Sequence, residues 1–185
     1  MTIQSERLTI KPLVKKHIES LLALEVKNKE FFKAFTGKRN EFFYTYEGQA
    51  ERVHRFLEST EQDTGYCFLI FLKNTETVIG EVILSEVVRG NLQSGWIGYF
   101  LDQDYNGKGY MSEAVQAVVK YAVDELKLHR IEAGVMPHNI GSTKVLLKSG
   151  FTQEGTARKN VKINGVWQDH ITFAIIEDDL QTHSD

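Results

Sequence analysis

The sequence predicts an α/β fold in a single domain over residues 1–185, and three observations carry that reading. Apolar runs of strand length alternate with stretches whose apolar residues return every three or four positions, the two periods of strand and helix. At 185 residues and 42% hydrophobic content the chain can bury one sizeable core, and no repeat, linker or low-complexity tract divides it. The third observation is a strand, a glycine-rich turn and a helix in succession. Trp96, Ile97, Gly98, Tyr99, Phe100 and Leu101 read as a buried strand, and Gly107 and Gly109 as the turn. Met111, Val115, Val118, Ala122 and Leu126 then mark one face of a helix.

From the start of the chain, alternation over 7–13 predicts a first strand, and Ile18, Leu21, Leu22, Glu25 and Val26 give a helix with one apolar face. The segment 31–46 concentrates Phe31, Phe32, Phe35, Phe42, Phe43, Tyr44 and Tyr46 beside Arg39 and Glu41, a composition that suits packing of a loop onto the core. A helix over 49–61 follows, then strands over 66–72 and 78–87, separated by the turn composition of 73–77. Beyond the central strand and its helix, placed over 111–127, come a strand over 130–136 and a short helix over 140–148 ended by Gly150. Asn164-Gly165 predicts a tight hairpin, because that pair accepts the positive φ angles of the turn, and it joins strands over 156–163 and 166–176. The polar tail 177–185 is expected to fray.

Composition excludes several function classes. A net charge of −3 gives no general attraction to nucleic acid, so no direct nucleic-acid contact is expected. The one cysteine, Cys67, lies in the apolar run 66–72 and reads as a buried structural thiol; no disulfide can form within the chain. That run is too short to cross a bilayer and residues 1–12 have no apolar signal core, so a cytoplasmic location without membrane contact is expected. The six histidines are scattered, and neither H-E-x-x-H nor paired-cysteine spacing occurs, so no metal is expected.

The turn between strand and helix is an anion site by construction. Glycine lets the backbone approach a ligand, and the first N–H groups of a helix have no internal partner. Two common phosphate motifs fail on spacing. A P-loop needs a glycine where Asp102 stands and a Ser or Thr where Gly109 follows Lys108. A dinucleotide fingerprint starting at Gly107 would need Ser112 to imitate its third glycine.

The acetyl-CoA signature Q/R-x-x-G-x-G/A fits better, as Asn106-x-x-Gly109-x-Met111, with departures at both outer positions. Around it stand Ile97-Gly98-Tyr99, Ser112-Glu113-Ala114, His129-Arg130-Ile131-Glu132-Ala133, Met136-Pro137-His138-Asn139, Ser142 and Gly150-Phe151. Over nearly its whole length the chain resembles the GNAT N-acetyltransferases, in the RimJ and RimL branch of ribosomal-protein N-terminal (alanine/serine) acetyltransferases. Ser5-Glu6-Arg7-Leu8, Val87-Val88-Arg89-Gly90 and Trp167-x-Asp169-His170 resemble RimJ in particular.

The resemblance implies a mixed, mostly antiparallel sheet, splayed at its centre and flanked by helices, with acetyl-CoA as cosubstrate. Asn106, Gly107, Lys108, Gly109, Tyr110, Met111 and Ser112 would hold the pyrophosphate, Lys108 adding charge. The main chain of Tyr99, with Phe100, Leu101 and Asn139, would hold the pantetheine arm and polarise the thioester carbonyl, and Gly98 would mark a bulge. Phe31, Phe35, Arg39 and Tyr44 would border the acceptor groove.

Proton handling is less complete. The tyrosine that many GNAT enzymes use to protonate the departing sulfur is Leu146 here, and Ser142 stands where RimL-like enzymes carry a serine for that step; it could equally cap a helix end. The glutamate of many relatives is Trp96, and a RimL-like carboxylate is Val161. Glu81 and His138 remain as base candidates, against a solvent-facing carboxylate and a histidine bonded to backbone. Arg158, Asp169 and His170 either touch an acceptor or pair across the hairpin.

An α-amine with a pKa of about 7.8 is far more often neutral at pH 7 than a lysine at about 10.4, so a site without a dedicated base suits a protein N-terminus. The implied partner is an acceptor protein's N-terminus, a ribosomal one by resemblance, with a homodimer left open. The alternatives are an acetyltransferase of polyamines or antibiotics, for which an acidic enclosed pocket is expected, and an acetyl-CoA-binding ribosome-assembly or regulatory factor with little catalysis.

Overall fold

The computed structural model describes residues 1–181. One eight-stranded sheet runs in the order β1-β2-β3-β4-β5-β6-β8-β7, from β1 (Ile3–Gln4) and β2 (Leu8–Pro12) through β3 (Tyr66–Leu72), β4 (Val78–Val88), β5 (Ser94–Leu101) and β6 (Arg130–Val135) to β7 (Thr152–Ile163) and β8 (Val166–Ile176). Helices α1 (Ile18–Lys27), α2 (Lys29–Lys33) and α3 (Tyr46–Glu61) precede β3. Helix α4 (Tyr110–Asp124) joins β5 to β6, α5 (Ile140–Lys148) joins β6 to β7, and α6 (Glu177–Gln181) follows β8.

The sheet is covered on both faces. Alternate residues of β3 point opposite ways: Phe68 and Ile70 join the core beneath α4, while Cys67, Leu69 and Phe71 join the core beneath α1 and α3. A strand buried on both sides reads as a continuous apolar run rather than an alternating one, which is the pattern of 66–72. The helical stripe of Met111, Val115, Val118 and Ala122 is buried as its spacing predicts, and Met111, Val115 and Val118 each contribute about 1.5–3 kcal/mol on leaving water.

All neighbouring strands are antiparallel except β5 and β6, which run parallel and pair only from Ser94 to Trp96 with Arg130 to Glu132. Beyond Trp96 the two strands separate, so the expected splay lies in the second half of β5. The expected bulge at Gly98 does not occur there. Residues from Gly80 to Ser85 pair without interruption with Leu101 to Trp96, and the irregularity falls on β4 between Ser85 and Val88, where Glu86 has a φ of +50°. Gly98 faces open space instead.

Several boundaries differ from the sequence expectation for local reasons. Helix α3 starts at Tyr46, not residue 49, because the Thr45 hydroxyl accepts the Gly48 N–H at 3.1 Å. Helix α4 ends at Asp124, short of 127. Lys127 holds a φ of +58° and the Leu128 N–H turns back to the Ala122 carbonyl, a stop usually marked by glycine and here made by lysine. Strand β7 begins at Thr152, four residues early. The tail does not fray at once, since Glu177–Gln181 is helical with the Ile176 N–H on the Asp179 carboxylate; residues 182–185 lie outside the described residues.

Candidate active site

Helix α4 opens on Gly109, at a φ of +80°, with no side chain capping it. The first intrahelical bond runs from the Glu113 N–H to the Gly109 carbonyl, so the amides of Tyr110, Met111 and Ser112 have no partner within the helix. A helix end that lacks its own Ser or Asp cap is open to an external anion. The N-terminal segment braces this end. The Arg7 guanidinium donates to the Lys108 carbonyl at 2.8 Å and to the Glu113 carboxylate at 2.7 Å, and lies 4.5 Å from the centre of the Tyr110 ring. Ser5 Oγ and the Arg7 N–H also donate to Glu113, both at 2.7 Å. Burial raises the Glu113 pKa, but these hydrogen bonds outweigh it and hold the carboxyl below the usual range. The Ser5-Glu6-Arg7-Leu8 stretch, present in the sequence as a family likeness, thus has a structural task that its spacing did not announce.

A cleft of about 500 Å³ runs from this turn along the splay. Asn106, Gly107, Gly109, Tyr110, Met111 and Ser112 line one end, Tyr99, Phe100 and Leu101 the floor, and Phe31, Phe32 and Phe35 the far wall. The opposite wall is α5, which presents Asn139, Gly141, Ser142, Lys144, Val145 and Lys148. Lys144 and Lys148 were missed in the sequence. They stand one helical turn apart on the Val145 side of α5, a signal readable only once that side is known to face the cleft. Free amides, two ammonium groups and a trough between separated strands fit a pyrophosphate with a long amide-bearing arm. A smaller cavity of about 160 Å³ continues between Ile97, Gly98 and Phe100 of β5 and Ala133, Gly134 and Val135 of β6.

Ser142 sits where the two cavities meet. Asn139 caps α5 by accepting the Ser142 N–H at 3.1 Å, and the Ser142 hydroxyl lies 2.8 Å from the Tyr99 hydroxyl. The sequence points to Tyr99 for its main chain alone; its side chain reaches the serine, and burial pushes its pKa up to about 12, keeping it a neutral hydrogen-bonding phenol. Leu146 is fully buried one turn beyond Ser142.

Other expected residues lie elsewhere. Lys108 does not line the cleft; its ammonium donates to the Asp104 carbonyl at 2.9 Å, turned back on its own loop. Glu81 is neither solvent-facing nor in the cleft. It is fully buried beneath α3, where Arg52 bridges it at 2.5 Å to Glu25 at 3.0 Å, with the Cys67 sulfur 3.8 Å away. Desolvation raises the Glu25 carboxyl and pushes the Cys67 thiol up strongly. Arg39 closes this network on Glu25 at 2.7 Å, stacks on Phe43 and lies 5.6 Å from the centre of the Phe100 ring, and Tyr44 lies under the Lys29 ammonium; neither is among the residues lining the cleft. His138 is exposed and outside it. The aromatic segment reaches the hairpin tip, where the Lys38 N–H donates to Asn164 Oδ1. Asp169 accepts the Lys159 N–H at 2.8 Å within the hairpin, whereas His170, bonded to Asn160 of the same hairpin, also packs against Gly134, which lines the smaller cavity. Among the described residues no cluster of His, Cys, Asp or Glu suits a metal.

Residues 7–152 match the model of the acetyltransferase (GNAT) domain. The chain belongs to the GNAT acetyltransferase family. It is 50% identical to the "Probable N-acetyltransferase YjcK" of Bacillus subtilis (strain 168), over 96% of this chain and 98% of that one. The crystal structure of ribosomal-protein-S5-alanine acetyltransferase from Vibrio fischeri superposes with a TM-score of 0.89 at 32% identity, covering 97% of this chain and 98% of the other. Mycobacterium smegmatis RimJ, solved in complex with CoA-disulfide, shares the fold with a TM-score of 0.91 at 22% identity, covering 97% and 89%. The protein is an acetyl-CoA-dependent N-acetyltransferase related to the ribosomal-protein acetyltransferases. No helix among the described residues is long and apolar enough to cross a membrane.

Proposed function

We propose that this enzyme acetylates the N-terminal α-amine of a cytoplasmic protein by direct attack on acetyl-CoA, and that ribosomal proteins are the first acceptors to test. The observation that carries the reading is the chemistry of the splay. The cavity between β5 and β6 is lined by apolar residues, glycines, Tyr99, Asn139 and Ser142, with no carboxylate. A polyamine or aminoglycoside brings several positive charges and needs acidic partners, whereas a protein N-terminus brings one charge on an amine of pKa about 7.8. The likeness to the Vibrio fischeri S5-alanine acetyltransferase supports the same acceptor class.

In this reading the free amides from Tyr110 to Ser112, with Lys144 and Lys148 in place of Lys108, hold the pyrophosphate. The β5 peptide groups left unpaired beyond Trp96 align the arm and polarise the carbonyl. Ser142 hands a proton to the departing sulfur while Tyr99 fixes the hydroxyl's direction. The test is mass-spectrometric localisation of acetyl groups after incubation with acetyl-CoA and three acceptor sets: peptides with free Ala or Ser N-termini and blocked lysines, N-blocked lysine peptides, and small polyamines. Modification of the first set is the expected result. Reaction of the polyamines alone would overturn the proposal.

A further inference from the structure

We infer that His170 takes the proton from the acceptor amine, through one water, on the face of β5 opposite α4. The inference deepens the acyl-transfer reading above and rests on it. Along β5 and β6, Ile97, Leu101, Ala133 and Val135 point into the core beneath α4. Trp96, Gly98 and Gly134 therefore face the other way, the side on which Phe100 meets Phe32, and in this inference that is the acceptor's side. Gly134 lines the cavity there. A Cβ built on it would lie 3.6 Å from His170 Cβ, 3.6 Å from His170 Cδ2 and 3.6 Å from Trp96 Cζ3, so the histidine side chain packs against the glycine.

The ring is oriented. His170 Nδ1 lies 2.9 Å from Asn160 Oδ1. An amide oxygen only accepts, so with that oxygen toward the ring Nδ1 carries the hydrogen and Nε2 is left with its lone pair. Asn160 owes its position to an irregularity of β7, where residues 158–160 stand opposite Asp169, Lys159 has a φ of +46°, and the Asp169 carboxylate holds the Lys159 N–H. A base directed by a hydrogen-bonding partner, itself held by a carboxylate-anchored bulge, is the arrangement proton transfer calls for.

Nε2 has no protein hydrogen bond, and the described residues contain no buried side-chain nitrogen or oxygen without a partner, so Nε2 meets solvent although His170 is only 8% exposed. Gly134 and Asn160, which lie against the histidine, and Trp96, which meets the same glycine, are uncharged. Asp169 is engaged by Lys159, and Arg130, Glu132 and Glu154 pair with one another further along the sheet.

In the step, an N–H bond of the acceptor ammonium breaks and an Nε2–H bond forms, with the water relaying the proton. The neutral amine then attacks; as the tetrahedral adduct collapses, the proton that Ser142 gives to the sulfur is replaced by the one the nitrogen loses, and His170 returns its own to solvent after turnover.

The test compares the parent enzyme with His170→Gln and Asn160→Ala, using a peptide with a free N-terminal alanine. kcat/KM is followed from about pH 6 to about pH 9, with acetyl-CoA affinity measured by calorimetry and the ring tautomer read from imidazole nitrogen NMR shifts. His170→Gln is expected to lose about sevenfold in kcat/KM at pH 7, the inverse of the neutral fraction of an amine of pKa about 7.8, with the deficit shrinking as rising pH neutralises the acceptor unaided, and with acetyl-CoA affinity unchanged. Asn160→Ala is expected to lose about threefold at pH 7 and to release the ring from its Nδ1–H form. A deficit equal at every pH, or none, overturns the inference. If His170→Gln fails to fold, the tautomer decides: a parent ring protonated on Nε2 alone overturns it. Should the parent acetylate only small amines, the acceptor reading fails, and the same pH series with that amine still tests His170.

Discussion

The side of the sheet that carries α4 and the side that carries α1 and α3 are held by different kinds of contact. Beneath α4 the functional features are main chain: three free amides, two left-handed glycines and the unpaired edge of β5. Beneath α3 they are side chains, with Arg39, Arg52, Glu25 and Glu81 neutralising one another in a buried row. A site made of backbone tolerates side-chain change except where a φ angle demands glycine, whereas a row of paired charges fails when one member is lost.

Four measurements would break or sharpen that contrast. The largest effect is expected from Arg52→Met, which leaves Glu25 with Arg39 alone and buried Glu81 without its guanidinium, and should cost about 3–5 kcal/mol in urea unfolding while acetyl-CoA affinity per folded molecule stays unchanged. Gly109→Val comes next. A β-branched residue at a φ of +80°, with its Cβ 3.3 Å from Arg7 Nη2, should weaken acetyl-CoA binding about 30-fold by calorimetry through roughly 2 kcal/mol of strain; unchanged binding would remove the phosphate-turn assignment. Ser142→Ala should lower kcat about tenfold with little change in cofactor affinity, since a thiol of pKa about 8.5 leaves tolerably without help. Normal turnover would reduce Ser142 to a partner of Tyr99.

The smallest effect concerns acid. Glu113 has a folded pKa below its ordinary 4.5, so its contribution to stability is complete above that value and is lost as pH falls through the depressed one. The parent protein should therefore lose thermal stability below about pH 4.5 more steeply than Glu113→Gln; parallel curves would mean that the Arg7 brace contributes nothing.

The legibility of the sequence follows the same division. The glycine turn, the α4 stripe and the Asn164-Gly165 hairpin depend on neighbours within a few positions, and each is where its pattern puts it. Glu81 was misread because a carboxylate alternating with apolar residues normally marks a solvent face. Here α1 and α3 cover that face, and Arg52, 29 positions away, supplies the charge that makes burial tolerable. Lys108 was misread because charge next to a glycine turn does not say which way the side chain leaves it. Tyr99 and Ser142 are 43 positions apart, and only the splay and the cap on α5 bring their hydroxyls together.

One detail of the buried row has a chemical consequence. Every turnover liberates a small-molecule thiol inside a narrow cleft, a setting in which a nearby cysteine would be drawn into mixed disulfides as the surroundings become oxidising. The chain's one sulfhydryl, Cys67, is on the opposite face of the sheet, 4% exposed and with its thiolate disfavoured by burial. The enzyme is therefore built without an internal sulfur that its own product can capture, and its turnover should be insensitive to oxidised CoA except as a competitor for the cleft.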